Sequence, residues 1–307
     1  MPEAVGSSGK SPVEIFKTSL ANNVSTGIAA IKGLMQVLEV ANAKTLQELV
    51  ALLKAETEKF KQVDNCSVIT VTSASELFLR FITLAHTQLE TQVFEDCLKL
   101  MLDRGAEFLQ KLESMRGKVA EYFGPHVTDG GKILVHGESK VVLEALLHAA
   151  KSGKEFEVYL TTSGWKLKKQ LDAANIVANR IEDMAIGYVM NKMDCVVLGA
   201  EGVCESGGII NQIGTLPIAI VAKQFNKPVY TLVESFKFVR FYPLQQDDLP
   251  EQYLERTGGQ EQSEAGACAD LHSRVDYTPP AHITLLFTDL GILTPSAVSD
   301  ELIKIYL

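Results

Sequence analysis

Glu201 is the residue whose position first suggests chemistry. It follows the apolar, β-branched run Cys195–Leu198 and the small pair Gly199 and Ala200. Gly202, Gly207, Gly208 and Gly214 come after it, interleaved with Asn211 and closed by Thr215. In open α/β sheets, ligands sit in the crevice beyond the carboxyl ends of the strands. One acid, several glycines and an amide at such an end predict a pocket wall. The same residues also suit plainer roles. An acid favours a helix N-terminus, and asparagine with glycine is ordinary turn chemistry. Similar candidates follow the other apolar runs: His136, Ser139 and Lys140 after the first, Thr161, Thr162 and Ser163 after the second, and Lys237 after the fifth. Hydroxyls, backbone donors and lysines at helix starts suit a phosphate. His136 reads equally as a packed strand-end residue, and Lys237, within an alternating run, as a surface residue.

The elements that must position these residues divide the chain in two. Residues 1–10 are small and polar and read as a disordered tail. Ser11, Pro12 and Glu14 form a helix start, with a capping serine, a proline in the first turn and a glutamate three residues on. Residues 11–126 then read as an N-terminal helical domain. Thr45 and Glu48 form a second capping box, followed by Leu46, Leu49, Val50, Leu53 and Phe60 at helical spacing. Ser67–Val71 is the longest strand candidate in this half. From residue 127 to 307 short apolar runs alternate with helical patterns, at Lys132–Val135, Phe156–Leu160, a weaker Ile176–Ile181, Cys195–Leu198 and Pro228–Val233. That alternation predicts an α/β, Rossmann-like domain with a mostly parallel sheet and helices on both faces. A polar insert covers about 245–278, and a short helix over Ser299–Ile305 ends the chain. Trp165, the only tryptophan, is expected to cover the sheet.

The totals narrow the function classes. At 307 residues and 46% hydrophobic composition the chain has material for two buried cores. No apolar run reaches the ~20 residues needed to span a bilayer, so no membrane contact is expected. The first residues lack a charged-then-apolar export pattern, and Asn23-Val24-Ser25 and Asn65-Cys66-Ser67 are read as chance sequons. Five cysteines stand far apart, without a Cys-x-x-Cys pair or paired histidines. This fits reduced thiols in the cytosol and no metal site; Cys195 and Cys204 read as inert buried thiols. The net charge of −9 is concentrated. Residues 247–276 hold eight acids against Arg256 and Arg274, so the rest of the chain is nearly neutral and presents no basic face for nucleic acid. Gly6–Ser11 looks like the end of a phosphate-binding loop but has Ala4 where that loop needs glycine, and no strand before it. No Gly-x-Gly-x-x-Gly or Gly-x-Ser-x-Gly motif occurs.

Three stretches carry a resemblance: VVLGAEGVCESGGIINQIGT at 196–215, VESFKFVRFYPL at 233–244, and ITLLFTDLGILTPSAVSDELIKIYL at 283–307. They resemble the family of translation initiation factor 2B subunits, its alpha branch in particular, over the chain from about residue 11 to the end. The family also holds the beta and delta subunits and the isomerases of methylthioribose 1-phosphate and ribose 1,5-bisphosphate. The resemblance implies a helical domain joined to a Rossmann-like one, and a homodimer built through the C-terminal domains. It implies assembly with the beta, gamma, delta and epsilon subunits into the guanine-nucleotide exchange factor for initiation factor 2. In that complex the alpha subunit is non-catalytic; it stabilises the assembly and mediates inhibition by initiation factor 2 phosphorylated on its own alpha subunit. The isomerases use an aspartate, which falls on Glu201, and a cysteine, where this chain has Val135-His136-Gly137-Glu138-Ser139. No cofactor is implied, but the ancestral cleft suits a sugar phosphate at His136, Ser139, Lys140, Thr161, Thr162, Ser163, Glu201, Asn211 and Lys237. Two departures stand out: Lys140 replaces the usual arginine, and Thr161-Thr162-Ser163-Gly164 replaces a Glu-Ser-Arg-Pro-like segment. A regulatory surface is expected near Thr45, Glu48 and the C-terminal Tyr306. The alternatives are an aldose-ketose sugar-phosphate isomerase and a free-standing metabolite-binding dimer.

Overall fold

The computed structural model describes residues 10–64, 66–83, 94–253 and 273–306. The tail over 1–9 and the middle of the acidic insert lie outside them. The chain forms two compact units, Met1–Glu113 and Ser114–Leu307. The division falls inside one long helix and not in a linker.

The first unit holds helices α1 (Pro12–Ala21), α2 (Thr26–Val40), α3 (Leu46–Lys61) and α4 (Val68–Thr83), and the start of α5 (Phe94–Phe123). The Ser11 box forms as expected: the Ser11 hydroxyl accepts from the Glu14 amide, and the Glu14 carboxylate accepts from the Ser11 amide. Phe16 of α1 stacks on Phe60 of α3 with ring centres 4.8 Å apart, and both are fully buried. Full burial of a phenylalanine is worth about 1.5–3 kcal/mol, so this pair ties the first helix to the third. The Ser67–Val71 stretch is not a strand. The Ser67 hydroxyl accepts from the Thr70 amide and starts α4, so a local side-chain cap overrides the β preference of Val68, Ile69 and Val71.

The second unit holds β1 (Gly131–His136), α6 (Lys140–Lys151), β2 (Phe156–Leu160), α7 (Trp165–Ala173), β3 (Val177–Arg180), α8 (Ile186–Val189), β4 (Cys195–Leu198), β5 (Gly202–Cys204), β6 (Ile209–Gln212), α9 (Thr215–Gln224), β7 (Val229–Leu232), β8 (Phe238–Val239), β9 (Val275–Thr278), β10 (Leu285–Thr288), β11 (Gly291–Leu293) and α10 (Val298–Tyr306). Seven strands form the main sheet in the order β11-β10-β7-β4-β1-β2-β3. All neighbours are parallel except β10 and β11. Each face is covered by its own apolar cluster. Val135, Val158 and Val197 pack with Val142, Leu146 and Phe123 on one side. Leu134, Val196 and Leu198 pack with Ile218, Ala219 and Leu302 on the other. Burial on both faces explains why these strands read as unbroken apolar runs. The chain leaves β1 toward β2 and β3, then returns to place β4 on the other side of β1. The gap above β1 and β4 is therefore the switch point where such sheets open a crevice.

A second, four-stranded sheet in the order β8-β5-β6-β9 was not foreseen. The glycine-rich stretch after Glu201 is its central hairpin, β5 against β6. The insert also ends sooner than 278. Val275–Thr278 is a buried strand paired with β6, so Asp276 belongs to the core and not to the acidic loop. Trp165 does not cover the sheet: it is 50% exposed at the start of α7, with the Lys169 ammonium 4.6 Å from its ring centre. Among the described residues, no helix is long and apolar enough to cross a membrane.

Candidate functional site

The end of β1 is built around a neutral histidine. The His136 ring is buried, with Nε2 2.9 Å from the Ile213 carbonyl and Nδ1 2.8 Å from the Thr161 hydroxyl. A carbonyl only accepts, which assigns the proton to Nε2, and Nδ1 then accepts from Thr161. Burial lowers the His136 pKa, against the pull of the Ile213 carbonyl and Asp183. His136 is thus a tie between β1, the end of β2 and the loop after β6, with both ring nitrogens engaged. Gly214, at φ +101°, makes this possible: a Cβ there would lie 3.0 Å from the imidazole Cε1, and its left-handed backbone favours glycine.

Thr161 is fully buried, and its hydroxyl lies 3.4 Å from that of Ser163. The Thr162 amide donates to Asp183 at 2.8 Å. Of the three hydroxyl residues expected to face a phosphate, one is thus committed to His136, and the backbone donor of another is committed to a carboxylate. Ser139 caps α6, accepting from the Val142 amide at 3.4 Å. Asn211 is buried, and its Nδ2 donates to the Thr215 hydroxyl at 3.0 Å; that hydroxyl donates to the Gln212 carbonyl at 2.7 Å. This chain of bonds sets the turn into α9. Glu201 is half-buried where β4 passes into β5, and its amide donates to the Ile210 carbonyl. Asp276 completes the turn from β9: its Oδ2 accepts from the Gly214 amide at 2.8 Å and the Leu216 amide at 3.1 Å. Glycine at the cap has no side chain, so the distant aspartate takes over a role that a local serine or threonine fills elsewhere. Burial pushes the Asp276 carboxyl up to about 6, against the pull of those amides.

Beyond β7 lies a charge cluster that the sequence shows only in part. Glu234 has a side chain only 3% exposed. Lys237 approaches it at 2.9 Å and Arg116, from the C-terminal half of α5, at 3.5 Å. Burial alone would raise the Glu234 carboxyl, but Lys237 and Arg116 outweigh it and hold it below the usual range. Next to it, Asp289 accepts from the Ser235 amide at 2.6 Å and the Ser235 hydroxyl at 2.9 Å, pinning this loop to the end of β10. Lys140, the first residue of α6, faces the same cluster. Its pKa is pushed down to about 8 by burial first, then by Arg116 and Lys237, with Glu234 pulling the other way. Arg116 was missed because it sits in an unbroken helical pattern among residues assigned to the other domain; nothing local marks it.

The regulatory candidates lie elsewhere. Thr45 and Glu48 are exposed at the start of α3, where the Thr45 hydroxyl accepts from the Glu48 amide at 3.2 Å. The expected reciprocal box does not close on Thr45: the Glu48 carboxylate accepts instead from the Lys44 amide, one residue earlier, at 2.9 Å. Tyr306 ends α10, and its side chain lies outside the described structure.

A family model described as the initiation factor 2 subunit family matches residues 21–295. The chain belongs to that family. Within it, the translation initiation factor eIF2B subunit alpha of Dictyostelium discoideum is 41% identical over 301 residues, covering 92% of each chain. The corresponding subunit of Caenorhabditis elegans is 36% identical over 306 residues, covering 97% of this chain and 99% of that one. A ribose 1,5-bisphosphate isomerase of Pyrococcus furiosus is more distant, at 27% over 279 residues. The tetrameric beta-delta complex of eIF2B from C. thermophilum shares the fold at a TM-score of 0.76 and 19% identity, over 96% of this chain and 94% of that one. The family's fold, a helical region followed by a mostly parallel α/β sheet, is the one expected from the sequence.

Proposed function

We propose that this chain is a regulatory subunit of the initiation factor 2B complex. It assembles with itself and with the beta, gamma, delta and epsilon subunits in the cytosol, and transmits inhibition by initiation factor 2 phosphorylated on its alpha subunit. The observation that carries this reading is the 36–41% identity to two alpha subunits along nearly the full length of both chains. The isomerase reading is weaker. Proton transfer between two sugar carbons needs groups within hydrogen-bond reach, poised near the working pH. Cys204, the thiol nearest Glu201 in sequence, is fully buried and pushed up to about 12 by that burial. His136 has both nitrogens committed. Affinity capture of the tagged chain from its own cell extract tests the proposal: the four partner subunits are expected, and a chain recovered alone would defeat it.

A retained anion site is the second part of this reading, supported by the strand-end cations. Lys237 and Arg116 meet one buried carboxylate, and Lys140 lies within the electrostatic reach of all three, so cationic side chains are on hand for a phosphate group. Calorimetry with sugar phosphates checks it; no heat with any of them would remove this part and leave the assembly role standing.

A further inference from the structure

We propose that the Gln246 side chain acts as a surrogate strand on the small sheet, closing the outer edge of β9 against pairing with β9 of a second copy. β9 is the last strand in the order β8-β5-β6-β9, with β6 on its inner side. Its register against β6 decides which backbone groups point outward. Gln212 faces Val275 and Asn211 faces Asp276. The same register carried one pair further sets Ile213 opposite Arg274, where the Ile213 amide donates to the Arg274 carbonyl. In an antiparallel pair such bonded residues alternate with non-bonded ones. Asp276 and Thr278 therefore turn their amides and carbonyls toward β6, while Val275 and Tyr277 turn theirs away from it.

Side chains meet those outward groups. The Tyr277 carbonyl accepts from Gln246 Nε2 at 2.7 Å, and the Tyr277 amide donates to Gln246 Oε1 at 2.8 Å. The carboxamide thus offers the donor and acceptor of a peptide group where a fifth strand would offer its own. The Ser273 hydroxyl donates to the Val275 carbonyl. The turn that carries Gln246 is fixed on both sides. Asp248 Oδ2 accepts from the Leu244 amide at 2.7 Å and the Gln245 amide at 3.0 Å, and Leu249 is buried. The sequence of β9, Val-Asp-Tyr-Thr, is rich in β-branched and aromatic residues that favour strand pairing, and an open edge of this kind is a template for another chain. Every copy carries the same edge. Antiparallel pairing of two β9 strands about a two-fold axis sets each donor opposite an acceptor, so a second copy supplies the strand that the open edge would take.

The test compares Q246A and Q246K with the wild type in the full chain, by sedimentation over a range of concentrations and by NMR amide exchange at Tyr277. Both variants lose the carboxamide, but a lysine on an edge keeps other strands away. In dilute solution the Tyr277 amide is expected to exchange about tenfold faster in both variants, the factor that a hydrogen bond of ordinary net strength is worth. As concentration rises, Q246A is expected to form species larger than the wild type and to regain protection at Tyr277, while Q246K does neither. Wild-type exchange rates in the variants would show that Gln246 does not hold the edge. Q246A of wild-type size at every concentration would show that the open edge takes no strand. Equal growth of Q246K would trace association to lost folding. Each of these three results overturns the proposal.

Discussion

Glu234→Gln is the most informative perturbation of the α/β unit. The carboxylate is 3% exposed and has two cationic partners at 2.9 and 3.5 Å. At an effective dielectric near ~20, each contact is worth about 5 kcal/mol before desolvation. Most of that is offset by taking the charges out of water. Removing one partner of a buried ion pair, however, leaves the others uncompensated, and typically costs about 3–5 kcal/mol. Arg116 and Lys237 keep 26% and 14% of their side-chain surface, so water recovers part of the loss and the low end, about 3 kcal/mol, is expected. For a unit the size of Ser114–Leu307, that lowers Tm by about 6–12 °C. Trp165 is the only tryptophan and lies in this unit, so urea unfolding followed by its fluorescence reads the unit directly. Adding K237M to E234Q removes one of the stranded charges and is expected to recover part of the stability. A loss below ~1 kcal/mol in E234Q, or a double variant no better than the single, would refute the reasoning that this carboxylate holds the cations in place.

Three further outcomes are expected. Asp276 is raised to about 6 in the folded chain, above its unfolded value, so the fold favours its protonated form. Its contribution is present below about pH 4 and lost as pH rises through about 6. The stability of D276N relative to wild type therefore improves across that window by up to ~3 kcal/mol, and a flat difference in urea melts would contradict this. Gly207, at φ +83°, faces the Pro295 backbone so closely that a Cβ would collide with its carbonyl; G207A is expected to lower Tm by several degrees and to disturb the turn between β5 and β6. E48K removes the carboxylate that accepts from Lys44 at 2.9 Å and costs about 0.5–1 kcal/mol of helix stability. It is expected to leave subunit assembly intact and to weaken inhibition by phosphorylated initiation factor 2 in an exchange assay. Unchanged inhibition would reduce Glu48 to a helix cap.

The parts of the fold legible in the sequence are those whose signal is local or continuous. The main-sheet strands read as apolar runs because both faces are covered, and even the weak Ile176–Ile181 candidate proves to be β3. Ser11 and Glu14 mark α1 because both halves of the cap lie within four residues. What escaped depends on distant pairing. The small sheet is made of strands two to four residues long, and β9 joins it from beyond the acidic insert. A strand that short has no readable period, so the hairpin after Glu201 passed for turns. The same reason hid Asp276, counted among loop acids although it caps α9 from another strand. At the site, Lys140 and Lys237 stood out at strand ends, but Arg116 meets Glu234 across 118 positions of sequence and only the fold brings them together. His136 read equally as a ligand and as a packed strand-end residue, and its bonds to Thr161 and Ile213 fit the second reading.

Reconstituted nucleotide exchange is the most direct measure of the central claim. GDP release from initiation factor 2 is followed with the other four subunits, with and without this chain, and with and without phosphorylated initiation factor 2. The account predicts that the phosphorylated factor slows release strongly only when this chain is present. Equal slowing in its absence, or no association of the chain with the other subunits, would contradict it.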